Sequence, residues 1–116
     1  MGGYGGGPAG TAILNVAYVL IGRLIFNCDY HLTFPFDINK ECTTVPEVLW
    51  AVAVSNQALS RNTRELIWSD PYMAAGPMTK QYFYECAAYA ATATSSGVSM
   101  QTCHPARAVG GLLPVF

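Results

Sequence analysis

Glu65–Tyr72 reads ELIWSDPY, a short apolar run that closes on an acid, a proline and a phenol. Leu66, Trp68, Asp70 and Tyr72 alternate along it, so in an extended chain their side chains share one face. A polar connector, Arg61–Arg64, precedes the run, and Ala74-Ala75-Gly76-Pro77 follows it as a loop. Such a pattern marks a β-strand with reactive groups at its carboxyl end.

Two further segments repeat the plan. His31–Asn39 alternates, with Leu32, Phe34, Phe36 and Ile38 on one face and His31, Thr33, Pro35, Asp37 and Asn39 on the other. The apolar row is expected to pack under helices. Val98–His104 ends in Cys103 and His104. Helix-like runs separate the strands, from about Pro8 to Asn27, from Val45 to Ser60 and from Met78 to Ser95. Alternation of this kind predicts an α/β fold, a parallel sheet covered by crossover helices, with its chemistry beyond the carboxyl ends of the strands. The candidate site residues are therefore Asp37, Asn39, Asp70, Tyr72, Cys103 and His104, while His31 opens its strand at the opposite end and suits a structural role.

Local signals fill in the helices. Pro8 suits the first turn of the first helix. Thr44 with Glu47 has the spacing of a capping box for the second, and Leu49, Val52, Ala53 and Leu59 form its core stripe. Pro77 is placed to open the third, which offers Cys86, Ala87, Ala90, Ala91 and Ala93 for close packing, and Ser95-Ser96-Gly97 ends it. The first helix is apolar nearly all round, which asks for neighbours on several sides.

Composition narrows the class. Of the 116 residues 52% are apolar, which excludes a disordered chain, and only 11% are charged. Soluble domains carry about 25% charge. A domain this small has much surface to solvate, so the deficit predicts that further chain or other subunits cover part of it. The chain begins and ends in mid-pattern and is expected to be a piece of a larger enzyme. A net charge of −1 without basic runs gives no footprint for nucleic acid.

The apolar stretch Ala12–Phe26 is too short for the ~20 residues of a membrane span and contains Arg23, so it reads as a buried helix. The start carries no basic region of a secretory signal. The four cysteines form no CxxC pair and read as reduced thiols of a cytoplasmic protein. A zinc set drawn from Cys28, His31, Cys103 and His104 lacks the paired spacing of zinc sites.

Three patterns bear on chemistry. Gly5-Gly6-Gly7-Pro8-Ala9-Gly10 satisfies GxGxxG ahead of a helix, with Asp37 as the acid a dinucleotide site needs; alone it is a weak signal and favours a structural or substrate-approach loop. Asp70 and Tyr72 pair a carboxylate with a phenol, suited to orienting a small amine or moving a proton. Cys103 and His104 are neighbours that point to opposite faces, which argues against a nucleophilic pair made of these two alone.

Read together, Gly2-Gly3-Tyr4-Gly5-Gly6-Gly7, His31-Leu32, Thr63-Arg64-Glu65, Ala75-Gly76-Pro77 with Glu85, and Ser96-Gly97 resemble, in order and spacing, the carboxyl-terminal half of the pyrrolysine-containing monomethylamine:corrinoid methyltransferases. The resemblance covers most of residues 2–110 and fades from Pro105 onward. It implies a cytoplasmic (β/α)8 barrel, usually a homo-oligomer, that moves a methyl group from monomethylamine to the Co(I) centre of a separate corrinoid protein. No cofactor is then bound directly, since the corrinoid is carried by that partner.

A barrel takes about 250 residues, so residues 1–116 would hold roughly three of its eight units. The family's pyrrolysine falls upstream of this chain, and the isolated chain is expected to be inactive. Asp70 matches a family glutamine facing the pyrrolysine ring, and Tyr72 an aromatic just beyond it; these two are the implied catalytic positions. Asp37, Asn39, Cys103 and His104 are the substrate-binding candidates. Replacing an amide by an acceptor-only carboxylate at Asp70 alters the hydrogen-bond pattern the family uses. Two other readings stand beside this one: a piece of a different α/β enzyme such as a dinucleotide-binding oxidoreductase, and a non-enzymatic protein that binds a partner through Ala12–Phe26.

Overall fold

The computed structural model describes residues 5–105, so Gly2-Gly3-Tyr4 and the tail 106–116 lie outside the described residues. Along the chain run α1 (Gly7–Leu24), β1 (Tyr30–Thr33), α2 (Pro46–Asn62), β2 (Leu66–Ser69), α3 (Lys80–Ser95) and β3 (Ser99–Met100). The strands form one parallel sheet in the order β1-β2-β3. Tyr30 pairs with Leu66 and Thr33 with Ser69, and Ser69 in turn with Met100. The alternation read from the sequence is thus the observed α/β plan, compatible with consecutive units of a barrel.

The helices cover one face of this sheet. α2 packs against both α1 and α3, while α1 also meets β1 and α3 meets β3. Beneath them Val19, Val48, Val52, Leu59, Ile67, Tyr89 and Ala93 form the core. On the sheet His31, Thr33, Ile67 and Ser69 point into that layer, and Tyr30, Leu32, Leu66 and Trp68 stay exposed on the opposite face. Parallel sheets are ordinarily covered on both faces, so an open face carrying two aromatic and two leucine side chains is unusual. The outer side of α1 and the turn after it are similarly bare, with Ile13, Leu24 and Phe26 each about 70–80% exposed. Within this chain, then, the stretch Ala12–Phe26 is buried on one side only.

Several local expectations give way. β1 stops at Thr33, because Pro35 has no N–H for a ladder, and Asp37 instead makes an isolated antiparallel bridge with Cys42. β3 is likewise shorter than the run Val98–His104. The row Leu32, Phe34, Phe36 and Ile38 does not pack under the helices. His31 and Thr33 do, made compatible with burial by side-chain hydrogen bonds to Glu65 and to the Trp68 carbonyl.

No capping box forms on α2. Its N-cap is Val45, and Thr44 donates to Glu85 at 2.7 Å across 41 residues of sequence. Pro77 lies before α3, whose N-cap is Thr79, accepting from the Tyr82 amide at 3.2 Å. The helix buries Tyr89 and Ala93 while Ala87 and Ala91 face outward. On α2, Leu49 and Ala53 are only partly buried, and Val48, Ser55 and Asn56 join Val52 and Leu59 inside.

The glycine pattern finds a structural use. Gly6 and Gly7 adopt φ of 70° and 80°, the left-handed turn from which α1 starts, and a Cβ on Gly10 would collide with the Gly5 carbonyl.

Candidate functional site

β2 continues past Ser69 in an extended line that carries Asp70 to Tyr72, and the chain after β3 runs beside it to His104. Backbone bonds hold the two segments together: the Gln101 amide donates to Ser69, the His104 amide to Pro71 and the Met73 amide to His104. Tyr72 and His104 form an isolated parallel bridge. The parallel register therefore delivers Asp70, Tyr72 and His104 to one place beyond the carboxyl ends of the strands.

There, His104 Nε2 approaches Asp70 Oδ1 to 3.1 Å, with the two side chains 31% and 10% exposed. The distance suits an ion pair, yet both atoms are buried without a properly directed hydrogen bond among the described residues. It is a close contact whose N–H axis misses the oxygen, because direction as well as distance makes a hydrogen bond. The imidazole stacks on Tyr72, centroids 4.6 Å apart and planes inclined by 21°. Tyr72 packs in turn on Phe34 at 4.7 Å, and Phe34 stacks on Phe36 at 5.2 Å. These two phenylalanines also wall an open cleft of about 490 Å³ that reaches Leu14 and Tyr18 of α1.

Asp70 sits in a low-dielectric spot. Burial raises its carboxyl above the ordinary carboxylate range, and the neighbouring His104 works in the opposite direction. Beneath it Tyr89 reaches up from α3, with its hydroxyl 2.7 Å from Ser69 Oγ and 3.4 Å from the Asp70 carbonyl. Burial pushes the Tyr89 phenol up, so it stays neutral and serves as a fixed dipole. Thr43 locks Tyr72 from the other side: its hydroxyl accepts from the Tyr72 amide at 2.8 Å and lies 3.1 Å from the Tyr72 carbonyl. Glu85 ties the two loops at this end, accepting from Thr44 and from the Ala74 amide at 2.6 Å.

Of the candidates read from the sequence, Asp70, Tyr72 and His104 come together. The other three are otherwise engaged. Asp37 spends its carboxylate on the amides of Asn39 and Lys40, at 2.9 and 3.2 Å, and Asn39 is exposed in that turn. Cys103 turns towards Cys86 on α3, and burial pushes its thiol up to about 12. Sequence reasoning misses the supporting residues Tyr89 and Thr43. Tyr89 carries a signal, an aromatic flanked by alanines on a helix of small residues; Thr43 carries none. Among the described residues no three His, Cys, Asp or Glu side chains gather as a metal site. Cys28 and His31 lie towards the amino end of the sheet, opposite Cys103 and His104.

Comparison with known proteins agrees with the resemblance. Residues 1–112 match the family described as Monomethylamine methyltransferase MtmB. Monomethylamine methyltransferase MtmB3 of Methanosarcina barkeri is 32% identical over 96 residues, 83% of this chain but 21% of its own length. MtmB2 of Methanosarcina acetivorans shows the same identity and coverage, and MtmB of Methanosarcina mazei is 30% identical over a span of the same length. The chain thus spans about a fifth of the length of the curated relatives it matches. No solved structure matches it. With nearly the whole sequence matched, the chain belongs to the monomethylamine methyltransferase MtmB family.

Proposed function

We propose that this chain forms part of a methyltransferase that moves a methyl group from monomethylamine to a corrinoid protein. The family match over residues 1–112 carries the reading, and the convergence of Asp70, Tyr72 and His104 supports it. The open apolar face of Tyr30, Leu32, Leu66 and Trp68 suits the inward side of a (β/α)8 barrel, which is filled by side chains from other strands. The full protein in this reading is a cytoplasmic homo-oligomer. Among the described residues no helix is long and apolar enough to cross a membrane.

The corrinoid, carried by its own protein, supplies the methyl acceptor. This chain's part is to hold the amine. A methylammonium ion is small, cationic and apolar at one end. The negative field of Asp70, which lies behind the His104 ring, favours its charge, and the aromatic surface of Tyr72 suits its methyl group. The carboxylate, costly to bury alone, is ionised most readily when a cation lies beside it.

The test replaces the matched stretch of the Methanosarcina mazei relative with this chain and follows corrinoid methylation by its visible spectrum. The folded chimera is expected to methylate the corrinoid, and the 116-residue chain alone is expected not to. A chimera that folds, by circular dichroism, but transfers no methyl group counts against the assignment. Transfer by the isolated chain counts against the need for residues it does not contain.

A further inference from the structure

The carboxyl-end histidine is held more firmly than a ring that merely fills space. Its backbone is bonded on both sides, through its amide to Pro71 and through its carbonyl to Met73. One face lies on Tyr72. Nε2 is buried against Asp70 Oδ1 at 3.1 Å, and the Asp70 side chain is itself nine-tenths buried. The other ring nitrogen, Nδ1, has no hydrogen-bond partner among the described residues, and the side chain keeps about a third of its surface. A carboxylate beside one nitrogen and a second nitrogen without a partner among the described residues is an arrangement in which an imidazole exchanges protons, because the carboxylate stabilises its charged form.

We propose that Asp70 and His104 form a proton-transfer dyad, with Asp70 the positioning residue and Nδ1 of His104 exchanging a proton with an amine nitrogen. An alkylammonium gives its proton to Nδ1. The N–H bond breaks with its electron pair left on the amine nitrogen, and the imidazole becomes an imidazolium opposite the Asp70 carboxylate. The reverse step returns the proton to a leaving nitrogen. Only the identity of the proton donor rests on the amine reading above; the dyad rests on geometry.

Burial disfavours a lone Asp70 carboxylate, and a positive His104 relieves that cost. The other groups facing the pair are the Tyr72 ring and, from α3, the neutral Tyr89 phenol bonded to Ser69 and the Asp70 carbonyl. The Cys103 thiol is turned away to Cys86.

The chain has two histidines, His31 and His104, so histidine-selective carbon-13 labelling of the full chain gives two imidazole signals, assigned with His104→Gln. Asp70→Asn is expected to lower the His104 titration midpoint by about one pH unit, a tenfold loss of proton affinity, with His31 unmoved. Asp70→Glu, which keeps the charge, is expected to retain part of that affinity. A His104 midpoint left unchanged by Asp70→Asn overturns the dyad. Adding methylammonium chloride is expected to shift the His104 signal and leave His31 in place. Coupled titration without that shift keeps the dyad and overturns the amine as its proton donor.

Discussion

The two ends of the sheet carry the same pair of residue types, a histidine against a carboxylate, in opposite circumstances. At the amino end His31 is 3% exposed and bonds Glu65 at 3.2 Å, and Glu65 has a second partner in Arg23 at 3.5 Å. α1 closes over the ring so tightly that a Cβ on Gly22 would lie 2.8 Å from it. At the carboxyl end His104 is one-third exposed, its contact with Asp70 is poorly aligned, and neither atom has another partner among the described residues. Buried polar groups in a finished core are satisfied, and one left unsatisfied asks for an explanation. Residue type alone therefore says little about role. The closed pair is satisfied within the fold, and the open pair is the one proposed above for proton transfer.

Removing each histidine should separate the two roles most visibly. His31→Ala leaves a cavity under α1 and strips Glu65 of its buried partner, a loss expected near ~3 kcal/mol and readable as a fall in denaturant midpoint. His104→Ala removes a half-buried ring whose main packing is one aromatic stack, and about 1 kcal/mol is expected. Equal losses at the two sites would abolish the distinction. Gly22→Ala probes the closed end from the helix side, since the added methyl must displace the His31 ring at a cost of about 1–3 kcal/mol. A neutral result in the same unfolding assay would mean that α1 sits less tightly on the ring.

The support beneath Asp70 comes next. Tyr89→Phe deletes the hydroxyl that meets Ser69 at 2.7 Å and leaves the buried Ser69 Oγ without it. A loss of about 1–2 kcal/mol is expected in equilibrium unfolding. Little or no change would mean that Tyr89 acts by its ring alone.

What the sequence alone reveals depends on the reach of each signal. β2 and its terminal pair can be read because alternation and carboxyl-end placement are local properties of Glu65–Tyr72. β1 reads too long, since Phe34, Phe36 and Ile38 keep the alternation going although the ladder ends at Thr33, just ahead of Pro35. Its apolar row falls on the unexpected side for a different reason. Alternation separates two faces without saying which one the helices cover, and His31 and Thr33 go inside only because Glu65 and the Trp68 carbonyl satisfy them. The capping box fails through competition at long range: Glu85 takes the Thr44 hydroxyl from a distant helix. His104 can be singled out from its place near a strand end, but its partner cannot. Its meeting with Asp70 depends on parallel pairing between segments far apart in sequence.

The pH dependence of stability tests whether Asp70 is a liability in the folded chain. Its folded carboxyl titrates above the unfolded value of 3.8. The folded state therefore holds the proton more tightly, and its contribution to stability is full below the unfolded value and is lost as pH rises through the folded value. Asp70→Asn removes that loss. The variant is expected to gain on the parent chain as pH rises above the unfolded value, measured as a melting-temperature difference that widens until Asp70 is ionised in the folded chain. A difference that stays flat or narrows over the same range would mean that His104 compensates the charge in full.

The smallest effect on stability is expected where exposure is greatest, on the outer side of α1. Leu24 is 80% exposed at the last residue of that helix, one turn beyond Leu20, which lines an apolar groove shared with α2. It contributes little burial in the single chain, so Leu24→Lys should change unfolding free energy by less than about 0.5 kcal/mol. The new cation also lies where the helix carbonyls are unpaired, which favours positive charge. Its larger consequence concerns association. An apolar surface of this extent draws other apolar surface to it, whether another copy or the remainder of a longer chain. Sedimentation of the parent and of Leu24→Lys at equal concentration should therefore show less self-association for the variant with the same thermal transition. A fall in the transition itself would show that α1 buries Leu24 in solution and that the outer face is closed within one chain.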